Sequence, residues 1–317
     1  MKKLSLIVPC YNESAVLGEF YKETSGVLRA LDGFDYEFVF ADDGSTDDTI
    51  RIIASFAQND ERVKYVSFSR NFGKEAAMLA GLRGASGDYF CFIDADLQHS
   101  PSLIPDMLKA VDSEGFDVAA CRRVDRAGEK GLKSFLSDAF YKIVNRISET
   151  RIDDGAQDFR VFNKKVAGAM LSMPEHNRFT KGIFSWVGYN TKWFPHENRE
   201  RAAGESKWSL TKLIKYAIDG IIGYTNIPLK LPLYTGAGLS AIAVIYLIIT
   251  IIMNAVKPGF SFTHAFIIFL LMFLGGFILL SVGILGEYIA RIYTESKDRP
   301  QYLVRYTNID YNHSRKG

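Results

Sequence analysis

Two carboxylates separated by one residue, Asp94 and Asp96, begin the run DADLQ directly after the apolar segment YFCFI. Set at the end of a strand, both can reach one ligand across a local turn. Two hard oxygen donors suit Mg2+ or Mn2+, and such an ion neutralises a diphosphate leaving group. An acidic pair is common in loops and specifies little by itself. It is strengthened by three further polar clusters that each follow an apolar segment: PCYNE (9–13), DDGSTD (42–47) and SRNFGK (69–74). No strand-to-helix turn carries GxGxxG or a Walker lysine motif, which disfavours dinucleotide oxidoreductases and P-loop enzymes.

Other chemistries find less support. Cys10, Cys91 and Cys121 form no CxxC pair, and one stays unpaired under any disulfide scheme; buried free thiols in a reducing compartment are expected. His99, His176, His196, His264 and His313 are scattered. No two lie at metal-ligand spacing, so a histidine-built zinc site is not expected. The formal net charge of +2 is too small to argue for nucleic acid.

The elements that must position these clusters follow from periodicity. Apolar runs alternate with helix-period segments: LSLIV, a helix from about Ala15 to Leu31, YEFVFA, Thr46 to Gln58, VKYVSF, Lys74 to Gly84, YFCFI, Leu103 to Val111, and DVAAC. This alternation predicts right-handed βαβ crossovers and an α/β fold with a mostly parallel sheet covered on both faces. Ligands of such sheets bind beyond the carboxyl ends of the strands. The opening MKKLSLIVPCYNES is broken by Pro9, Asn12 and Glu13 before it reaches the length of a signal's apolar core. It reads as a first strand, with the domain kept in the cytosol.

Composition changes after about Lys230. Thr235–Val256 and Ala265–Gly286 are charge-free apolar stretches of 22 residues each, long enough to cross a hydrocarbon core of about 30 Å. Lys212, Lys215 and Lys230 precede the pair and Arg291, Lys297, Arg299 and Arg305 follow it, while the connector holds only Lys257. The positive-inside rule then places both termini in the cytoplasm. Between the halves, WSLTKLIKYAIDGIIGY puts Leu210, Leu213, Ile214, Ala217, Ile218, Ile221 and Ile222 on one stripe, with Lys212 and Lys215 off it. Core packing accounts for this stripe too, but a basic opposite face just before a span favours a helix lying in the membrane interface.

The order PCYNE, DDGSTD, SRNFGKEAAMLAGL, DADLQH and RAAGESKW resembles the family 2 glycosyltransferases. Within them it resembles the polyprenyl-phosphate branch, which includes dolichyl-phosphate mannose synthases and bactoprenol glucosyltransferases. The closing pattern GEYIARIYTESKDRPQYLV looks like the bactoprenol enzymes. The resemblance covers nearly the whole chain. It implies a GT-A-type nucleotide-sugar-binding domain over 1–208, amphipathic interfacial helices over 209–232, two transmembrane helices over 233–289 and a cytoplasmic tail over 290–317. The implied protein is a multi-pass cell-membrane enzyme that uses a divalent metal, Mg2+ or Mn2+, and a nucleotide sugar. It would transfer one sugar, with glucose from UDP-glucose as first choice, to undecaprenyl or another polyprenyl phosphate, giving a lipid-linked donor for cell-surface polymers. In-line attack would invert the anomeric carbon.

Residue by residue, the resemblance gives donor binding to Pro9, Tyr11, Asn12, Glu13, Asp42 and Asp43. Their aromatic ring and acceptors suit a base and a ribose. Gly44 supplies a close turn, Ser45 is a cap for the next helix, and Asp47 belongs to that cap. Arg70 and Lys74 flank a helix start, where cations and backbone N–H groups suit diphosphate oxygens. Asp96 and Gln98 become metal ligands, with Asp94 sharing the metal or nucleotide. Lipid-phosphate contacts fall to Arg122, Lys133, Arg201, Ser206 and Lys207; Arg123 and Arg126 are equal to them by charge alone. Asp158 stands where many relatives carry a catalytic base. A phosphate monoester loses its second proton near a pKa of about 6, so an orienting role is expected of Asp158 instead.

Processive polysaccharide synthases share the front motifs but carry QxxRW, and here Gln157 and Arg160 are followed by Val161. GDP-mannose, UDP-N-acetylhexosamines and UDP-galactose stay open as donors, because that choice rests on a few pocket contacts. A non-catalytic sugar-nucleotide sensor or a lipid-translocating partner is the alternative of another class. Charge-free spans speak against transport, and an intact set of site residues speaks against a degenerate sensor. Gly236, Gly238, Gly275 and Gly276 give small faces for helix packing; with the resemblance they lead to the expectation of a homo-oligomer, taken as a tetramer.

Overall fold

The computed structural model describes residues 1–123, 155–196 apart from 174 and 177, scattered positions between 232 and 256, and 264–310. The chain divides into two compact units. One contains the described residues up to 196 together with 300–310, and the other contains 264–299.

The first unit is built on strands β1 (Lys2–Cys10), β2 (Phe34–Asp42), β3 (Val63–Phe68), β4 (Tyr89–Phe92), β5 (Val118–Arg123), β6 (Ala156–Asn163), β7 (Thr191–His196) and β8 (Val304–Thr307). They form one sheet in the order β7-β5-β6-β4-β1-β2-β3-β8. Its centre is parallel: β1 pairs with β2 and β4, and β2 with β3. Strand β6 runs antiparallel to β4 and β5, and β8 antiparallel to β3.

Helices α1 (Leu17–Arg29), α2 (Thr49–Asn59), α3 (Lys74–Gly84), α4 (Ile104–Asp112), α5 (Lys164–Leu171) and α6 (Thr180–Val187) cover the two faces. On one face Leu4, Leu6 and Val8 pack with Phe20, Ile53 and Met107. On the other Ile7 and Val39 pack with Met78, Leu82, Val166 and Ile183. Period-2 alternation thus operates inside strands that read as unbroken apolar runs, as burial on both faces requires. Each large apolar side chain so buried contributes about 1.5–3 kcal/mol. A Cβ at Gly81 of α3 would lie 2.4 Å from Ile7 Cγ2, so the helix rests on the sheet at glycine distance.

The second unit contains α7 (His264–Ser296), a helix of 33 residues, about 50 Å long at 1.5 Å per residue. Its part Phe273–Ser296 has mean hydropathy 1.8 and is the one helix among the described residues long and apolar enough to cross a membrane. The whole helix, His264–Ser296, includes the second expected span and continues past the expected boundary at 289. The first expected span falls mostly outside the described residues, although Ile242, Ile245, Ile248, Ile249 and Ile252 are helical and exposed. The interfacial segment 209–232 lies outside them apart from Pro232.

The C-terminal segment has an element that the sequence reading did not anticipate. The stretch expected to be a tail holds a strand, Val304–Thr307, which joins the sheet as β8 on the open edge of β3. A strand of four residues carries too little periodic signal to be recognised without its partner.

Candidate active site

The ends of β1 and β2 carry the first two polar clusters, sewn together by hydrogen bonds. Asn12 has φ of 55°; its N–H donates to Ser45 Oγ at 2.9 Å, and its Oδ1 accepts from the Thr46 N–H at 2.9 Å. The Glu13 N–H donates to Thr49 Oγ1, and the Ser14 N–H to Asp47 Oδ2. Asp47 Oδ1 accepts from the Thr49 N–H at 3.0 Å, which makes Asp47 the group that satisfies the first turn of α2. Ser45 is not that cap, because its hydroxyl is turned to Asn12. Pro9, Tyr11, Asn12 and Glu13 are partly exposed around this join.

Asp42 and Asp43 are buried, at 1% and 3% exposure. Asp42 accepts from the Ser45 N–H at 3.1 Å and from Ser67 Oγ at 2.6 Å. Asp43 accepts from the N–H groups of Phe72, at 2.6 Å, and Gly73. Burial dominates and pushes its carboxyl up to about 6, although the two N–H donors oppose the shift. Gly44 has φ of +68°, and a Cβ there would lie 2.4 Å from the Arg70 carbonyl carbon. The second and third clusters therefore touch through backbone. Arg70 sits with its guanidinium 4.1 Å from the Phe72 ring centroid, and its Nη1 donates to the Asn71 carbonyl.

Lys74 is the first residue of α3, and its Nζ joins two carboxylates. It donates to Asp158 Oδ2 at 2.6 Å and lies 2.8 Å from Asp94 Oδ1. The strand register explains the meeting: Phe92 of β4 pairs with Arg160 of the antiparallel β6, so Asp94 and Asp158 each lie two residues beyond a paired position. Burial alone would raise the Asp158 carboxyl, but the Lys74 ammonium, with Lys181 and Arg160 farther off, holds it well below the usual carboxylate range. Conversely, burial would lower Lys74, and the two carboxylates hold it well above the usual lysine range. The three side chains remain open to solvent, with exposures of 42% for Lys74, 28% for Asp94 and 23% for Asp158.

The DADLQ turn is a tight one. Asp96 Oδ1 accepts from the Gln98 N–H at 3.1 Å, and Leu97 has φ of 58°, rare for a residue with a branched side chain. Asp94, Asp96 and Gln98 thus lie on one short loop. Among the described residues no three His, Cys, Asp or Glu side chains gather as a metal cage. Two carboxylates and an amide oxygen suit Mg2+ or Mn2+ of the kind that takes its remaining ligands from substrate phosphates.

Two histidines far apart in sequence meet here, which their spacing did not reveal. His99 and His196 have ring centroids 5.2 Å apart, and His99 stacks on Phe159 at 5.5 Å. His196 Nε2 is 3.2 Å from the Gln98 carbonyl, which ties the DADLQ loop to β7. Burial lowers His99 to about 4, so its ring is neutral. Sequence reasoning also missed Glu75, whose carboxylate accepts from the Thr180 N–H and hydroxyl and so caps α6.

Arg122 is exposed on β5, paired in register with Ala156 at the start of β6, and its guanidinium lies 5.9 Å from the Trp193 ring centroid. Lys133, Arg201, Ser206 and Lys207 lie outside the described residues, as does Arg126. The cysteines Cys10, Cys91 and Cys121 are free and buried.

Residues 5–171 match Glycosyl transferase family 2. The Bacillus subtilis (strain 168) protein CsbB is 42% identical over 310 residues, which is 96% of this chain and 92% of the relative. The bactoprenol glucosyl transferase of Shigella phage SfV is 39% identical over 303 residues, 96% of this chain and 98% of its own length. Among solved structures, mannosyltransferase PcManGT from Pyrobaculum calidifontis, in complex with GDP-Man and Mn2+, aligns over 94% of this chain and 88% of its own at 15% identity and TM-score 0.45.

Proposed function

We propose that this chain, which belongs to glycosyl transferase family 2, moves one hexose from a nucleotide sugar to the phosphate of a polyprenyl lipid at a membrane surface. The observation that carries the reading is a continuity: the sheet whose strand ends bring Asp94 and Asp158 to Lys74 of α3 receives its last strand from the segment that follows a helix of membrane length. Similarity to a bactoprenol glucosyl transferase extends over that helix as well as the sheet, and it favours undecaprenyl phosphate as acceptor and UDP-glucose as donor.

Parity supports an even number of spans. β8 belongs to the same sheet as β1–β4, so a chain that leaves this sheet and returns must cross a bilayer an even number of times. With α7 as one span, this favours another upstream, where the sequence of Thr235–Val256 is apolar. The reading therefore has two spans with the sheet and the C-terminal strand on one side, and the flanking lysines and arginines support the cytoplasmic side.

In the chemistry, a phosphate oxygen of the lipid attacks the anomeric carbon as the bond to the nucleotide diphosphate breaks, inverting that carbon. Asp94, Asp96 and Gln98 would hold a divalent ion, which supplies charge neutralisation for the departing diphosphate. The base and ribose meet the partly exposed loop Tyr11–Glu13, and Arg70 adds positive charge at the start of α3. Asp42 and Asp43, expected from the sequence to bind the donor, are instead buried with their oxygens already accepting hydrogen bonds, and they shape the site from within. A carboxylate paired to an ammonium at 2.6 Å is a poor proton acceptor, and the acceptor phosphate needs none removed. Asp158 thus fixes Lys74 and orients the acceptor.

The test is to incubate purified protein with divalent metal, a panel of labelled nucleotide sugars and undecaprenyl phosphate. Nucleoside diphosphate released only when lipid phosphate is present, with the label on the lipid, is the expected result. Release that ignores the lipid sinks the reading. The rate should rise with pH through about 6 as the acceptor forms its dianion. A second ionisation near neutral pH that disappears in Asp158→Asn would restore the base.

A further inference from the structure

The segment after the membrane-length helix is bound to the sheet beside the SRNFGK loop. In β8, Val304 pairs with Phe68, Tyr306 with Ser67 and Thr307 with Val66. The Ser69 N–H, the first of the loop, donates to the Leu303 carbonyl at 2.9 Å. Asn308 closes the other end, where Oδ1 accepts from the Tyr65 N–H at 2.7 Å and Nδ2 donates to the Val63 carbonyl at 3.0 Å. Tyr302 stacks on Phe68 with centroids 4.8 Å apart. Phe68 in turn meets Phe72 edge-on at 5.8 Å, and the Phe72 N–H is one of the two held by Asp43. Ile309 packs against the cluster containing Val66, Phe68, Ala76 and Ala77.

These contacts have a direction. The strand itself is exposed at all four residues, so it buries little, whereas its partner Phe68 is buried and supports the loop that leads into Lys74. An edge strand of this length would be marginal by itself. Here it is anchored at both ends by side chains aimed at β3 and its loop.

We infer that residues 302–309 are positioning residues of the donor site: they hold the Ser69–Lys74 loop in the shape that receives the donor's diphosphate. This rests on the reading that Arg70 and Lys74 face that diphosphate. It makes the catalytic unit incomplete without the chain that emerges from the membrane, so a truncation before α7 would lose donor affinity as well as its anchor.

The experiment uses full-length protein in detergent micelles. In Tyr302→Ala, the amides of 69–74 should exchange about tenfold faster, as loss of an aromatic stack of about 0.5–1.5 kcal/mol permits. The KM for the nucleotide sugar should rise about threefold to tenfold, with the KM for polyprenyl phosphate unchanged, and Tyr302→Phe, which keeps the ring, should restore both readouts. As a second variant, deletion of 300–317 should bind nucleoside diphosphate with Mn2+ poorly, and a synthetic peptide of residues 300–310 should recover the affinity. Unchanged exchange at 69–74, equal rises in both KM values, or no recovery by the peptide overturns the inference. If 69–74 loosen in Tyr302→Ala but nucleoside diphosphate protects other amides and not these in the unaltered protein, the donor assignment of the loop fails, while the hold of residues 302–309 on the loop stands.

Discussion

Asp42 and Asp43 at the end of β2, and Asp94 and Asp158 beside the ends of β4 and β6, are carboxylates at the same end of one sheet held by different kinds of partner. The first two are buried and accept from N–H groups and a hydroxyl. The second two are partly exposed and share a lysine ammonium on a flexible stem. Backbone donors cannot leave without unfolding a loop, so the first pair is an anchor. An ammonium can swing away when a cation or a diphosphate arrives, so the second pair is available for exchange.

The contrast can be broken by substitution. Asp94→Ala should cut turnover by about 10³-fold or more while the thermal midpoint, followed by circular dichroism, stays within a few degrees. A collapse of the fold instead would make Asp94 an anchor like Asp42. Lys74→Met should lower turnover by about 10²-fold yet bind Mn2+ about tenfold more tightly in the absence of nucleotide, as read by electron paramagnetic resonance. Equal Mn2+ affinity in the two proteins would mean that the ammonium does not occupy the cation's place.

Asp42→Ala should do the reverse, costing about 3 kcal/mol of stability because the Ser67 hydroxyl and Ser45 N–H lose a buried acceptor. Full stability in chemical denaturation would contradict the anchor assignment. The smallest effect concerns pH. Asp43 is raised to about 6 in the folded protein, so the folded state binds the proton more tightly than the unfolded chain does. Its contribution is therefore present below about pH 4 and is lost as pH rises through 6. Between pH 4 and 7 the wild type should lose about 2 kcal/mol relative to Asp43→Asn, and a constant difference would show that its burial carries no such cost.

Some elements were legible from pattern alone. The expected helix Lys74–Gly84 and strand VKYVSF coincide with α3 and β3, because apolar period and glycine punctuation are local properties. Strands β6 and β7 were not read as strands, and β8 was read as tail. Antiparallel returns and short edge strands are specified by their partners, and β8 meets β3 from more than 200 residues away.

The sequence by itself determined which residue types line the strand ends, that the sheet would be covered on both faces, and that a segment could span a bilayer. Periodicity, turn chemistry and length decide these things without reference to neighbours. Only the tertiary structure decided that Lys74 bridges Asp94 and Asp158, that Asp42 and Asp43 face inward, that His99 meets His196, and that the chain returns from α7 to close the edge of β3. Each depends on strand order and register, which are settled by packing between segments distant in the chain.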